Sequence, residues 1–417
     1  VRAYVGSRNW DGPAGQVDLA ASPRSPGSAL KPFLYARVLE NGASLADIVS
    51  DTPGAWTTTH GSWSPRNYGE GSAGPVTLRH ALGNSLNIPA VRLAEQIGNA
   101  DIHRTLTELG LTTLLERPDH YGLGLVLGDA EVRLDELVAA YAAFASDGHY
   151  RPLRFRSDDP KPAPKKIFSK VASFLILDAL DDPSARTRSF GYDSALEPDY
   201  PMSAKTGTST GFRDNWAIGV TPQFTIGVWV GNADGSSMTE VSGITGAGPI
   251  LREVADAAMS GVQRKSFVVP NSLSTISTCA LSGRTATQFC PGQRTEWLQV
   301  SRTHPACDWH DASGEHLPPT LSAWQGADES TFQADSGPPT IVSPASGSRL
   351  WVDAHRPAND QAIVLRLSGG PGGSAVATWY IDGEPLAAIG PPWRTRWQPT
   401  PGDHIIIVKV GDVVSQP

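Results

Sequence analysis

The chain has 417 residues, more than one hydrophobic core usually spans, so two or three domains are expected. Its 40% apolar and 18% charged residues describe a folded chain and exclude a disordered one. A net charge of −8 argues against a nucleic-acid partner, and no apolar run approaches the roughly 18 residues of a membrane span.

The sequence opens on Val1 to Ser7, which reads as a strand, with no signal-peptide pattern. The chain is therefore read as a fragment or a processed product. A Pro26-Gly27 turn then leads into a helix that is expected to start at or near Ser28. Leu30, Leu34 and Val38 recur along it at helical spacing. Pro32 is compatible with a first helical turn, where its missing N–H has no intrahelical partner.

This helix carries the first chemical motif, Ser28-Ala29-Leu30-Lys31. A spacing of three places Ser28 and Lys31 on one face. A serine hydroxyl is a poor nucleophile until a base takes its proton, and a lysine amine can be that base once desolvation or a neighbouring cation lowers its pKa. Taken alone, the pattern is weak, because it arises by chance on many helices.

Ser85-Leu86-Asn87 is the second motif. Its serine can relay a proton to a leaving amine, and its asparagine can hold a peptide amide, although taken alone a helix cap would be the better explanation. Leu134, Leu137, Val138, Tyr141 and Phe144 then mark a second buried helix face. The third motif, Lys205-Thr206-Gly207-Thr208, opens a strand ahead of Trp216 to Gly231, which reads as two strands around a Thr-Pro turn. Lys205 and the threonine hydroxyls suit a carboxylate, and Gly207 would let a substrate backbone approach. The N–H groups of Ser28 and Thr208 could together form an oxyanion hole. A further helix is expected between Pro249 and Gly261.

Residues 263–335 are rich in Ser, Thr, Gly and Pro and read as an irregular connecting segment. They hold the three cysteines, Cys279, Cys290 and Cys307. From about residue 336 short alternating runs, Ile363 to Leu367, Ala375 to Asp382 and His404 to Val410, are separated by Gly-Gly, Pro-Gly and Asp-Gly turns. These predict a small β-sandwich of immunoglobulin-like type.

The three motifs in this order are far more specific than any one of them, being the set of class A β-lactamases and penicillin-binding proteins. The stretches R-S-P-G-S-A-L-K-P-F-L-Y, N-Y-G-E-G-S-A-G-P-V-T-L-R-H-A-L-G-N-S-L-N-I-P-A-V and K-T-G-T-S-T-G-F-R-D-N-W-A-I-G-V-T-P resemble the transpeptidase domain of class A penicillin-binding proteins, nearest the 1C type. The resemblance covers residues 1–262. The cysteine segment and the tail, with Trp379-Tyr380-Ile381-Asp382-Gly383, resemble that type's C-terminal module.

The resemblance implies an α/β (α+β) fold with an antiparallel sheet flanked by helices, followed by the all-β module at 336–417. It implies a nucleophile at Ser28, a base at Lys31, and supporting roles for Ser85, Asn87, Lys205, Thr206 and Thr208. It implies a D,D-transpeptidase acting on peptidoglycan stem peptides and trapped by β-lactams, at the periplasmic face of the bacterial inner membrane. D,D-carboxypeptidase or β-lactamase activity and an idle penicillin-binding scaffold are the alternatives. A membrane anchor and a glycosyltransferase domain are expected upstream, outside these residues. No cofactor and no catalytic metal is expected, and the C-terminal module is expected to bind a cell-wall partner protein or to position the enzyme on the wall. An oxidising compartment favours a disulfide, with Cys290–Cys307 as the first choice. Zinc is second, on the Cys307-x-x-His310 spacing.

Overall fold

The computed structural model describes residues 1–58, 61–68, 72–190, 194–239, 241–318, 321, 340–343, 363–368, 376–389, 395–411 and 413–415. The chain divides into two compact units, Val1–Leu321 and Ser322–Pro417.

The first unit is built on helix α1 (Lys31–Glu40), entered through a 3-10 turn at Gly27–Leu30. The helix thus begins at Lys31 rather than Ser28. Leu30, Leu34 and Val38 are buried as their spacing predicts. Four short strands follow: β1 (Ile48–Asp51), β2 (Trp56–Thr58), β3 (Gly61–Trp63) and β4 (Gly74–Thr77). A helical lobe comes next, with α2 (Leu78–Gly83), α3 (Asn87–Ile97), α4 (Asn99–Glu108), α5 (Pro118–Tyr121) and α6 (Leu134–Ala145). Phe33 of α1 meets Tyr141 edge-on and stacks on Phe144, which stacks in turn on Phe168. This aromatic column fixes α6 against the helix that carries the first motif.

The short pair β5 (His149–Tyr150) and β6 (Lys165–Lys166) precedes α7 (Lys170–Asp181) and α8 (Pro183–Phe190). The central sheet is then laid down as β7 (Ser203–Thr208), β8 (Asp214–Val220) and β9 (Thr225–Gly231), antiparallel throughout in the order β7-β8-β9. Successive strand residues face opposite sides. Trp216, Ile218 and Val220 of β8 join the core built on α1, α6 and α7, while Ala217 packs with Leu251, Ala255 and Met259 of α9 (Ala247–Met259). The middle strand is buried on both faces, which leaves β7 as the edge beside the first motif.

Two sequence expectations are corrected here. Val1 to Ser7 is not a strand, because it pairs with no strand among the described residues. It folds back locally instead, Leu19 N donating to Gly6 O and the Tyr4 hydroxyl to Asp18. The 263–335 segment is not irregular over its described part. It carries the hairpin β10 (Leu273–Cys279) and β11 (Gln293–Gln299), and the small pair β12 (His310–Asp311) and β13 (Gly314–Glu315). The alternation in Leu273 to Cys279 was hidden because the face it turns inward is Ser274, Ile276 and Thr278 rather than a row of large apolar residues.

The second unit has two antiparallel sheets among its described residues. One is β14 (Thr340–Ser343), β15 (Ile363–Ser368) and β18 (Thr395–Trp397). The other is β16 (Ala377–Ile381), β17 (Glu384–Ile389), β19 (Ile406–Val410) and β20 (Val413–Val414). Leu365, Ala377, Trp379, Val408 and Val410 form its core.

Candidate active site

Ser28 lies in the 3-10 turn, where three contacts hold the backbone. The Tyr141 hydroxyl donates to Ala29 O at 2.5 Å, and Trp216 Nε1 donates to Ser25 O at 2.7 Å. The third contact is the edge of β7. A side chain at Gly207 would put its Cβ 2.1 Å from Pro26 O, and one at Gly27 (φ +51) would sit 2.4 Å from Thr208 O. Gly207 was expected to admit a substrate backbone, but on this side it admits the chain's own serine turn.

Ser85 lies between α2 and α3 with φ 57, a left-handed conformation uncommon for a residue with a side chain. That bend brings both its carbonyl and its hydroxyl towards the buried lysines. Lys31 Nζ donates to Ser85 O and to Asn87 Oδ1, both at 2.6 Å, and lies 3.5 Å from Ser85 Oγ. Lys205 Nζ reaches the same Ser85 Oγ at 2.8 Å and donates to Thr206 O at 2.7 Å. The three motifs, far apart in sequence, thus meet at one serine.

Both lysines are almost wholly buried, Lys31 at 0% and Lys205 at 2% exposure. Burial, and then the charge of Lys205, holds the Lys31 amine well below the usual lysine range, while Asp51 pulls it back up. Burial pushes Lys205 down to about 7. A neutral lysine amine has two N–H groups and one lone pair. Ser85 O and Asn87 Oδ1 take both of the N–H groups of Lys31, which leaves the lone pair to accept a proton.

In front of the lysines is a cleft of about 420 Å³ lined by Ser28, Asn87 and Thr208, with Trp63, Tyr68 and Phe212 among its apolar walls. Ser28 is half-buried there. Thr208 Oγ1 accepts from Gly243 N at 2.9 Å, so one of its lone pairs is already engaged. Thr206 is buried and is not on the cleft wall.

Sequence reasoning missed the support behind Asn87. Its backbone N–H donates to Asn67 Oδ1 at 2.7 Å, and its Nδ2 donates to Arg66 O at 2.6 Å. Asn67 Nδ2 in turn donates to Asp51 at 2.8 Å, and Asp51 is fully buried. Asp129, on the cleft wall, was missed as well, and burial raises its pKa. Neither acid stands in a motif. The only hint was an acidic residue at the end of an apolar run, Ile48 to Asp51. The Asp214 carboxylate accepts from the Ser209 hydroxyl at 3.0 Å and from Trp229 Nε1 at 3.0 Å.

The cysteine expectation is corrected. Cys279, Cys290 and Cys307 are all free, and no Cys290–Cys307 bond is formed. Instead, the three sulfurs converge with His310.

Residues 2–256 match the family described as the penicillin binding protein transpeptidase domain. The chain belongs to that family. Residues 328–413 match the penicillin-binding protein C-terminus family. The chain is 32% identical over 441 residues to penicillin-binding protein 1C of Escherichia coli K12, covering 94% of this chain and 55% of that protein. It is 30% identical over 248 residues to penicillin-binding protein 1A of Aquifex aeolicus, covering 55% of this chain and 32% of that protein. The chain thus spans about half or less of the length of these relatives. A crystal structure of penicillin-binding protein 1A from Haemophilus influenzae shares the fold, with a TM-score of 0.59 at 22% identity over 68% of this chain and 49% of that one. The penicillin-binding protein PonA1 from Mycobacterium tuberculosis superposes with a TM-score of 0.54 at 25% identity, over 64% of this chain and 76% of that one. Among the described residues no helix is long and apolar enough to cross a membrane.

Proposed function

We propose that this chain is the transpeptidase part of a peptidoglycan-synthesising penicillin-binding protein. On this reading it cross-links stem peptides through a serine acyl-enzyme. The observation that carries the reading is the convergence of Lys31 and Lys205 on Ser85, directly behind a cleft lined by Ser28, Asn87 and Thr208.

Ser28 Oγ attacks the carbonyl between the two terminal D-alanines of a donor stem, and the Lys31 lone pair takes its proton. The oxyanion that forms is met by the N–H groups of Ser28 and Thr208. Ser85 Oγ, within reach of both lysines, passes a proton to the departing D-alanine amine, and the C–N bond breaks to leave an ester on Ser28. An amine from a neighbouring stem attacks that ester, Ser28 regains its proton, and the cross-link is made. Lys205 and Thr208 hold the donor's terminal carboxylate, with Thr206 shaping the strand, and Asn87 holds the donor's peptide amide. A β-lactam enters as a donor whose leaving group stays tethered.

The site belongs at the periplasmic face of the bacterial inner membrane, where stem peptides are found. The second unit is read as a docking module for a cell-wall partner protein. Labelling with a fluorescent penicillin tests the activity. A band that is present in the chain and lost in Ser28→Ala supports it, and no labelling of the folded chain would leave only an idle scaffold.

A further inference from the structure

Cys279, Cys290, Cys307 and His310 lie on three separate stretches of chain, yet their ligand atoms all fall within 4.8 Å of one another. All four are buried, between 1% and 8% exposed. His310 Nδ1 is 3.4 Å from Cys279 Sγ and 3.3 Å from Cys307 Sγ. Zinc bonded tetrahedrally to sulfur at about 2.3 Å and to nitrogen at about 2.0 Å needs a sulfur–nitrogen edge of about 3.5 Å. The observed spacings are close to that edge.

The surroundings fit bound thiolates. Ser282 N is 3.5 Å from Cys279 Sγ, Thr287 N is 3.3 Å from Cys290 Sγ, and the Ser282 hydroxyl donates to Cys307 Sγ at 3.1 Å. These donors spread the negative charge that three thiolates leave in excess of one divalent cation. The other ring nitrogen, His310 Nε2, is buried without a hydrogen-bond partner among the described residues, and Glu315 Oε2 lies 3.6 Å from it. A histidine that ligates through Nδ1 must carry its proton on Nε2, and a carboxylate beyond that N–H is the usual orienting partner.

We propose that these four side chains form a structural zinc site. Three thiols lose their protons to solvent as the metal enters. Four protein ligands close the tetrahedron, which leaves no position for water and gives the site no hydrolytic chemistry. Softer ligands favour zinc over magnesium or calcium. The site ties β10, the loop after it and the β12–β13 pair into one knot.

That knot is seated on the transpeptidase domain between α1 and β1. Ile48, the first residue of β1, packs against the cysteines. A side chain at Gly283 (φ +67) would overlap Ala46 O, and Arg302 Nη1 donates to Gly42 O. Zinc therefore stabilises the segment after α9 in its place against the domain, whichever reaction Ser28 performs.

The test is metal analysis of the 417-residue chain exported to an oxidising compartment and purified without chelator. About one zinc per chain is expected, and native mass spectrometry should show the zinc-bound species with all three thiols retained. Cys290→Ser and His310→Ala should lose the metal and unfold about 5 °C or more below the parent chain. Should those variants fail to fold, cobalt exchanged into the parent chain gives a second reading: tetrahedral thiolate ligation produces strong visible bands and sulfur-to-cobalt charge transfer. A chain without zinc that carries a disulfide between two of the cysteines, or cobalt that gives only weak octahedral bands, would overturn the site. Penicillin labelling, measured on the same samples, reports on Ser28 alone and so separates failure of the zinc site from failure of the proposed reaction.

Discussion

Lys31 Nζ donates to Asn87 Oδ1 at 2.6 Å, which joins the first motif to the second through a partly buried hydrogen bond. Because Asn87 Nδ2 is committed to Arg66 O, the amide cannot turn to present its nitrogen to the lysine without breaking both bonds. In its neutral form the lysine is thereby held with its two N–H groups engaged and its lone pair available.

The first prediction concerns the acylated residue. Intact mass after penicillin treatment should show one adduct, and Ser28→Ala should abolish it. Lys31→Ala should slow acylation by about a hundredfold or more, the usual worth of a positioned general base. An adduct that survives Ser28→Ala would refute the assignment.

The second concerns pH. Lys31 acts only when neutral, so acylation should fall as pH drops through its depressed pKa. Asp51 raises that pKa, so Asp51→Asn should lower it further and move the acid limb to lower pH. The substitution also removes one carboxylate acceptor from Asn67 and Ala73 and should cost about 1–3 kcal/mol of stability. Lys205, at about 7, should lose its charge as pH rises, weakening capture of carboxylate-bearing ligands on the alkaline side. Between about 7 and its ordinary 10.5 the unfolded chain binds the extra proton, so Lys205 makes stability rise with pH across that window. An acid limb that moves upward in Asp51→Asn would contradict the role given to Lys31.

Much of this site was legible in the sequence because its chemistry is carried by short motifs. Ser28 and Lys31 share one turn and Lys205 and Thr208 share one strand, and the order of the motifs, through the resemblance it carries, singled them out. The Asp51–Asn67–Asn87 support was not legible, because it joins three segments whose polar residues have no fixed spacing. The same limit hid the meeting of Cys279, Cys290, Cys307 and His310, where only the last two stand close in sequence. In the fold, Trp216 to Gly231 was readable as a strand pair from its apolar alternation, whereas Leu273 to Cys279 was masked by its Ser and Thr. Val1 to Ser7 misled for the opposite reason, since strand-like residues make no strand without a neighbour to bond.

The third prediction is steric. Gly207→Ala places a Cβ against Pro26 O, where the gap is 2.1 Å. The serine turn must shift away from β7, which widens the spacing between the N–H groups of Ser28 and Thr208. Overpacking of this kind costs about 1–3 kcal/mol. Acylation should fall at least about tenfold, since losing one oxyanion donor costs about a hundredfold or more. Rates unchanged from the parent chain would remove Thr208 N–H from the proposed oxyanion hole.

The last prediction concerns the fate of the acyl-enzyme. Class A β-lactamases resemble this chain in their three motifs and add a glutamate in an E-x-x-L-N stretch to activate water. Between residues 88 and 204 no glutamate is followed by Leu and Asn at those offsets. The acid that does line the cleft with Ser28 is Asp129; burial raises its pKa, so among the described residues there it is the one acid that could stand in as a base, but it belongs to no such stretch. General-base assistance is worth about a hundred- to ten-thousandfold, so without it water attacks the Ser28 ester slowly. A transpeptidase benefits from this, because its intermediate must wait for an amine. The penicilloyl adduct should therefore persist for many minutes after excess drug is removed, as followed by intact mass over time. Asp129→Asn should leave that lifetime unchanged. Free enzyme returning within seconds would mark the chain as a hydrolase, and a lifetime lengthened by Asp129→Asn would name the base responsible.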